Sequence, residues 1–124
     1  MLVKAKRKTD RALTTGEIRL YIDSSSATVI LLDTPAGVVT TGQWYHLAFT
    51  VSGGTAKIFV NGTQQASGST SGTLPVVTTL FVGMARASGA VQYMNGYLQD
   101  FRVTRGYARY TANFTPPTAA FPTL

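Results

Sequence analysis

The sequence predicts an all-β domain built from antiparallel strands and short turns, and three observations carry this prediction. Between residues 44 and 51 the large apolar side chains fall on every second position, as in a strand with one buried face. Two turn signals follow, Ser52-Gly53-Gly54-Thr55 and Asn61-Gly62, in which glycine accepts the positive φ of a tight hairpin. No stretch shows a helical period over several turns, so the central element is a β-meander.

Composition sets the limits of this prediction. The chain has 124 residues, enough for one domain that buries a sizeable core. Hydrophobic residues make up 44% and charged residues 13%, a balance that argues against disorder. The absence of cysteine excludes a disulfide framework and a thiolate metal site. No apolar run approaches the ~20 residues of a membrane span, and no apolar segment follows the basic N-terminus, so neither membrane insertion nor a secretory signal is predicted.

Strand-like segments recur along the chain. Their ranges are 16–23, 27–33, 44–51, 56–60, 63–66, 76–82 and 97–104. The apolar run within 27–33 predicts burial on both faces of that strand. Leu98 and Phe101 cannot share a face of a regular strand, so we expect either a bulge near Gln99-Asp100 or an outward-facing Phe101.

The connecting segments have their own signals. Residues 67–73 read S-G-S-T-S-G-T, have no apolar anchor, and predict the most mobile internal loop. Residues 85–95 predict a further loop, and residues 105–110 predict one helical turn. The prolines from Pro116 onward predict an extended tail.

Two blocks of the sequence resemble a known family. The run G-Q-W-Y-H-L-A-F-T-V, the spacer G-G-T and the run I-F-V-N-G-T resemble the central hairpin of laminin-G-like, concanavalin-A-like jelly-roll domains. Residues 96–106, G-Y-L-Q-D-F-R-V-T-R-G, resemble the closing strand of the same domains. The following residues 108–118 are similar to the tail of copies found in bacteriophage tail and virion proteins. The resemblance implies an antiparallel β-sandwich of jelly-roll, laminin-G-like type over residues 16–124.

Complete domains of that family carry further strands before the segment that corresponds here to residues 17–22. We therefore expect a sandwich that lacks N-terminal strands and has an open edge and a partly uncovered inner face. Exposed edges and apolar faces are normally paired or covered. The hypothesis that follows is that a neighbouring chain, such as a copy of the same protein, supplies the cover.

Residues 1–15 are predicted to form a basic N-terminal arm. Among the first eleven residues a single acid, Asp10, opposes the basic side chains Lys4, Lys6, Arg7, Lys8 and Arg11. The rest of the chain is nearly balanced, although the net charge of the whole is +6. Such an arm can bind an acidic protein surface or nucleic acid. An arm of this length is more often a solvated tail. Because the charge belongs to the arm and not to the body, nucleic acid is a weak prediction.

The inventory of catalytic groups is thin. The chain has five acidic residues and one histidine, His46. Glucanases with this fold carry two glutamates in an E-x-x-x-E arrangement, whereas the only glutamate here is Glu17. We therefore predict no catalytic residues and no enzyme. The residues expected to serve the structure are Trp44, His46, Asn61, Gly62 and Asp100.

No cofactor is expected either. Calcium is common in the wider family and requires six to eight oxygen ligands. Asp23, Asp33 and Asp100 are far apart in the sequence, and no D-x-D cluster occurs. Calcium therefore stays a weak alternative, and no metal ligand is assigned.

Tyrosine, arginine and asparagine side chains give the candidate binding residues. Stacking rings beside hydrogen-bonding groups suit a sugar, so Arg86, Tyr93 and Asn95 are the glycan-binding candidates. Tyrosine and arginine are also enriched in protein interfaces. The assembly-interface candidates are therefore Tyr107, Arg109 and Tyr110 together with Lys4, Lys6, Arg7, Lys8 and Arg11.

The residues and the resemblance together predict a non-enzymatic structural protein of a phage virion, either a capsid decoration or a tail component. Its expected partners are other virion proteins or its own copies, and its expected location is the virion, extracellular after host lysis. The alternative is a lectin-like adhesin that binds host cell-surface polysaccharide. A third and weaker reading places the basic arm on packaged DNA, with binding that weakens steeply with salt.

Overall fold

A computed structural model of the chain describes residues 3–4, 16–23, 28–71, 74, 82–87 and 90–119. The strands are β1 Val3–Lys4, β2 Arg19–Asp23, β3 Thr28–Asp33, β4 Leu47–Ser52, β5 Thr55–Val60, β6 Thr63–Ser69, β7 Met84–Ala87 and β8 Ala90–Tyr93. They form three antiparallel sheets in the orders β1-β2-β3, β4-β5-β6 and β7-β8. The prediction of an all-β antiparallel sandwich is confirmed. In the described part of the chain, no helix has the length and apolarity that a membrane crossing requires.

The first sheet presents one apolar face. Leu20 pairs with Leu32 and Ile22 pairs with Ile30, and since cross-strand partners share a face, these side chains point the same way. Arg19, the first residue of β2, donates two hydrogen bonds to the carboxylate of Asp33. This hydrogen-bonded pairing raises the pKa of Arg19 above its usual value. At a partly exposed site the ion pair itself contributes less than about 1 kcal/mol.

The core lies where this face meets the second sheet. Its buried residues are Ile18, Leu20, Val29, Ile30, Ala56 and Ile58. Partly buried side chains surround them, namely Ile22, Leu32, Val39, Leu47, Phe49, Val51 and Ala66. Leu47, Phe49 and Val51 come from alternate positions of β4, as the sequence predicts. The chain leaving β6 is tied to β3, because the backbone N–H and the hydroxyl of Ser71 both donate to carbonyls of that strand.

The central meander is confirmed, but its first strand begins at Leu47 and not at Trp44, and its third strand is longer than predicted. Residues 67–69 belong to β6 and pair with residues 55–57 of β5. Beyond the strand, Thr70 donates its N–H to the Gly54 carbonyl. The prediction of a mobile loop from Ser67 is therefore wrong for residues 67–69, because backbone pairing with β5 needs no apolar side chain. Residues 72–73 of that loop lie outside the described residues.

Two further predictions are corrected at the next elements. The segment 85–95 is not one loop, because it contains most of the β7-β8 hairpin. In β3, Leu31 is 49% exposed, so that strand is not buried on both faces. The predicted strand at 76–82 lies outside the described residues except for Val82, which is exposed and not in a strand.

The predicted closing strand does not form. Residues 97–104 join none of the three sheets. Asp100 has a φ of +53°, in the left-handed region, so the extended run is broken where a bulge was considered. Leu98 and Phe101 are each about half exposed. Residues 105–110 contain bends and no helical turn.

The N-terminal arm has one described part. Val3 and Lys4 pair with Leu20 and Arg19, so they form the edge of the first sheet beside β2. Residues 5–15, with Lys6, Arg7, Lys8 and Arg11, lie outside the described residues. The arm as a partner-binding element stays a prediction.

Candidate functional site

The outer face of the second sheet is covered by the segment that runs from Tyr110 to Phe114. The two rings of this segment stack with centroids 3.5 Å apart and planes 7° apart. The Phe114 ring also packs in T-shaped geometry against the rings of His46 and Phe59, with centroids 5.5 Å apart in both pairs. Phe59 is fully buried by this cover. Aromatic packing of this kind contributes about 0.5–1.5 kcal/mol per pair beyond the buried area.

Hydrogen bonds hold the same segment along the edge of the sheet. The Lys57 ammonium donates to the Thr111 carbonyl at 2.6 Å, and the Gln64 N–H donates to the Asn113 side chain at 2.9 Å. The Phe114 N–H donates to the Gly62 carbonyl at 2.9 Å. Lys57, Gln64 and residues 111–113 line an open cleft of about 590 Å³. Polar groups that line the cleft are therefore already engaged in the hydrogen bonds that hold the segment on the sheet.

His46 is part of this packing. Its backbone N–H donates to the side-chain oxygen of Asn61 at 2.9 Å, and its carbonyl accepts from the Asn61 N–H at 2.8 Å. Its ring lies against Phe114 and Tyr110. The Nδ1 atom is buried and has no hydrogen-bond partner in the described part of the chain. A histidine that acts as a base needs a group to orient it, and Nδ1 of this ring has no such partner among the described residues.

No described group of three or more His, Cys, Asp or Glu side chains is placed to hold a metal ion. Asp33 is engaged by Arg19. Asp100 is exposed, on a backbone with a φ of +53°.

A second feature is an exposed apolar surface along the segment that precedes Tyr110. We call it the C-terminal surface and define it by its members, which are Trp44, Tyr97, Leu98, Phe101, Val103, Arg105, Tyr107 and Arg109. The Tyr97 side chain is 86% exposed and that of Trp44 is 66% exposed. Their ring centroids are 6.5 Å apart with planes tilted by 40°. Exposed apolar side chains grouped along one segment mark a candidate interaction site.

The loop that carries Trp44 is fixed by its neighbour in the sequence. The hydroxyls of Thr40 and Tyr45 are hydrogen-bonded at 3.1 Å, and the Thr40 N–H donates to the same phenol oxygen. These bonds lower the pKa of Tyr45. Trp44 therefore lies in a loop that hydrogen bonds hold in place, just before β4 begins.

At the other end of the surface, Arg109 is held in place by two contacts. Its guanidinium lies 5.5 Å from the centre of the Tyr107 ring, and its Nε donates to the Thr104 hydroxyl at 3.0 Å. Arg109, Tyr107 and Arg105 are all exposed. The two arginines make this end of the surface cationic.

The sequence candidates fall in several places. Tyr107 and Arg109 lie in the C-terminal surface, whereas Tyr110 stacks under Phe114 and is half-buried. The β7-β8 register places positions 86 and 93 on one face of that hairpin, with Asn95 in the exposed turn that follows. Tyr93 is 77% exposed. Among the basic arm residues, only Lys4 lies in the described part, in β1.

Sequence reasoning missed the exposed part of the C-terminal surface. Trp44 was expected to serve the structure, and Leu98, Phe101 and Val103 were expected to lie in a closing strand. One signal was available, because Leu98 and Phe101 break the alternation that a half-buried strand requires.

Comparison with protein families gives one match. A laminin-G-type family model, described as the concanavalin A-like lectin/glucanases superfamily, matches residues 8–109. No curated protein and no solved structure matches the chain significantly. The matched residues include β2 to β8 and every member of the C-terminal surface.

Proposed function

The chain belongs to the concanavalin A-like lectin/glucanases superfamily, and we propose that it is a non-enzymatic binding module that works through protein–protein contacts. The observation that carries this proposal is the exposure of large apolar and aromatic side chains along residues 97–107. Trp44 lies beside Tyr97, and Arg109 lies over Tyr107. Tryptophan, tyrosine and arginine dominate the energetics of protein interfaces.

The arrangement of the available groups supports the non-enzymatic part of this proposal. The ring of His46 is packed against Phe114, and the sequence has only one glutamate. A glycosidase of this fold requires two carboxylates across a cleft. The described cleft is lined instead by Lys57, Gln64 and residues 111–113, which include no acid.

The finer proposal is a structural component of a phage virion, as a capsid decoration or a tail component. It is supported by the resemblance of residues 108–118 to the tail of copies found in bacteriophage tail and virion proteins. The partners would be other virion proteins or further copies of this chain. The location would be the virion, which becomes extracellular after host lysis.

A lectin-like adhesin is the second candidate, and the pair Trp44 and Tyr97 favours it specifically. Two exposed rings 6.5 Å apart could stack on sugar faces. The aliphatic neighbours Leu98 and Val103 favour protein contact, because sugars present hydroxyls that such side chains cannot satisfy.

Two screens on one preparation of the full chain separate these candidates. Random displayed peptides would be panned on the immobilised protein, and a glycan array would be probed with the same protein. We expect enriched peptides whose binding is lost in a Tyr97→Ser/Phe101→Ser variant and retained in Leu31→Ser. Leu31 is a matched control, since its exposure of 49% is close to the 47% of Phe101.

Retention of glycans with no enrichment of peptides would overturn the proposal and favour the adhesin. A Trp44→Ala variant would then show whether the aromatic pair holds the sugar. Turnover of any glycan on the array would contradict the non-enzymatic assignment.

A further inference from the structure

We propose that the C-terminal surface is a docking site for an extended acidic segment of a partner protein. This inference rests on the proposed function, because it names the chemistry of the partner that such a module binds. Three properties of residues 97–109 lead to it, namely the exposure of most of them, their position outside the sheets, and their charge.

The exposure pattern fits an extended ligand. Phe101, Val103 and Arg105 are exposed, while the intervening Arg102 and Thr104 are half-buried. This alternation is typical of an extended chain. The same residues belong to no sheet, so a second extended segment can run alongside them. An extended peptide that lies along such a segment would present every second side chain to the exposed groups.

The apolar members of the surface define the centre of the contact. Tyr97 and Trp44 lie side by side, and Leu98 and Phe101 follow directly along the chain, each about half exposed. An apolar centre of this kind is buried by apolar side chains of a partner. The segment that docks must therefore carry apolar residues on its facing positions.

The charge of the C-terminal surface indicates which residues the partner carries at its other positions. Arg105 and Arg109 are exposed, and the one acidic residue within residues 97–109 is Asp100. Arg109 is already positioned by Thr104 and Tyr107. Carboxylates on the partner would meet these arginines in charge-assisted bonds. A second copy of this chain would bring the same cations face to face and carries a net charge of +6, so it is the poorer occupant.

A defined peptide tests the proposal. The probe is a fluorescently labelled peptide of alternating glutamate and valine, and its matched control replaces every glutamate with glutamine. Binding to the full chain is followed by fluorescence anisotropy. Polygalacturonate is tested in parallel, since it carries carboxylates without apolar side chains.

Variants locate the contact. We expect Arg105→Gln/Arg109→Gln and Tyr97→Ser/Phe101→Ser each to weaken binding of the acidic peptide about tenfold or more. Leu31→Ser removes an exposed apolar group outside the surface, so it should change the Kd less than about twofold, and the glutamine peptide is the control for charge. Urea unfolding confirms that each variant is folded. If the Tyr97→Ser/Phe101→Ser variant is not folded, the arginine variant decides.

The proposal is overturned if the acidic peptide does not bind, if the glutamine peptide binds equally well, or if the surface variants bind as the wild type does. Preferential binding of polygalacturonate would also overturn it and assign the surface to an acidic glycan. Should panning enrich peptides that carry no acidic residues, this inference fails while the proposed function stands. Should panning enrich none, the proposed function itself fails.

Discussion

At the scale of single residues, the turn at Asn61 and Gly62 holds the central hairpin against the segment from Tyr110 to Phe114. Both residues have a positive φ, +50° and +79°. The Asn61 side chain accepts the His46 N–H, and the Gly62 carbonyl accepts the Phe114 N–H. A Cβ at position 62 would overlap the Phe114 carbonyl. Glycine is therefore required twice at this position, by the conformation of the turn and by the approach of the segment that covers it.

Replacing Gly62 with alanine should destabilise the protein by about 3 kcal/mol or more, since strain at positive φ and a steric clash act together. The matched control is Gly54→Ala, whose φ of +75° is almost the same and whose added Cβ would meet no atom within 4 Å. That control should lose only about 1–2 kcal/mol. Urea unfolding measures both. Equal losses would mean that the contact between Gly62 and Phe114 contributes nothing.

At the scale of elements, the sequence predicts those parts whose signals are local. Alternation in β4 and the glycine turns on either side of β5 specify the meander without reference to the rest of the chain. Residues 97–114 could not be predicted in the same way. Tyr110 and Phe114 owe their burial to Phe59 and His46, which lie some 50 to 70 positions earlier. Resemblance to a closing strand also could not reveal that Asp100 takes a left-handed conformation and that the flanking residues stay outside the sheets.

The segment from Tyr110 to Phe114 should stabilise the sandwich mainly through Phe114. We expect Phe114→Ala to lower the free energy of unfolding by about 2–3 kcal/mol, because it removes the contacts with Tyr110, His46 and Phe59 from a half-buried ring. Phe101→Ala is the matched control and should cost less than about 1 kcal/mol, since half of its ring is exposed. Chemical denaturation gives both values. A larger loss for Phe101 than for Phe114 would contradict the assignment of one ring to the fold and the other to the surface.

At the scale of the whole molecule, the positive charge has two locations with different expected roles. Arg105 and Arg109 are part of the C-terminal surface and would contact the partner directly. The predicted basic arm lies at the other end of the sequence. Charges outside a contact change the rate of encounter more than the lifetime of the complex, whereas charges within a contact change the lifetime.

This difference gives a kinetic prediction. A variant with Lys6, Arg7, Lys8 and Arg11 replaced by glutamine leaves β1 intact, since that strand ends at Lys4. It should slow association with the acidic peptide several-fold at low salt and leave dissociation almost unchanged. Arg105→Gln/Arg109→Gln should instead speed dissociation. Surface-binding kinetics at two salt concentrations measure both rates, and faster dissociation in the arm variant would place the arm inside the contact.

The central claim is that the C-terminal surface is where this module holds its partner, and an NMR titration of the full chain with the acidic peptide tests it most directly. The chain has a single tryptophan, so the indole N–H of Trp44 is a unique reporter of that surface. The account predicts that Trp44 and the backbone amides of residues 97–109 shift together as the peptide is added, while the β7-β8 hairpin is unaffected. Shifts centred on Tyr93 and Asn95, or on the cleft beside Lys57, with Trp44 unchanged, would contradict it.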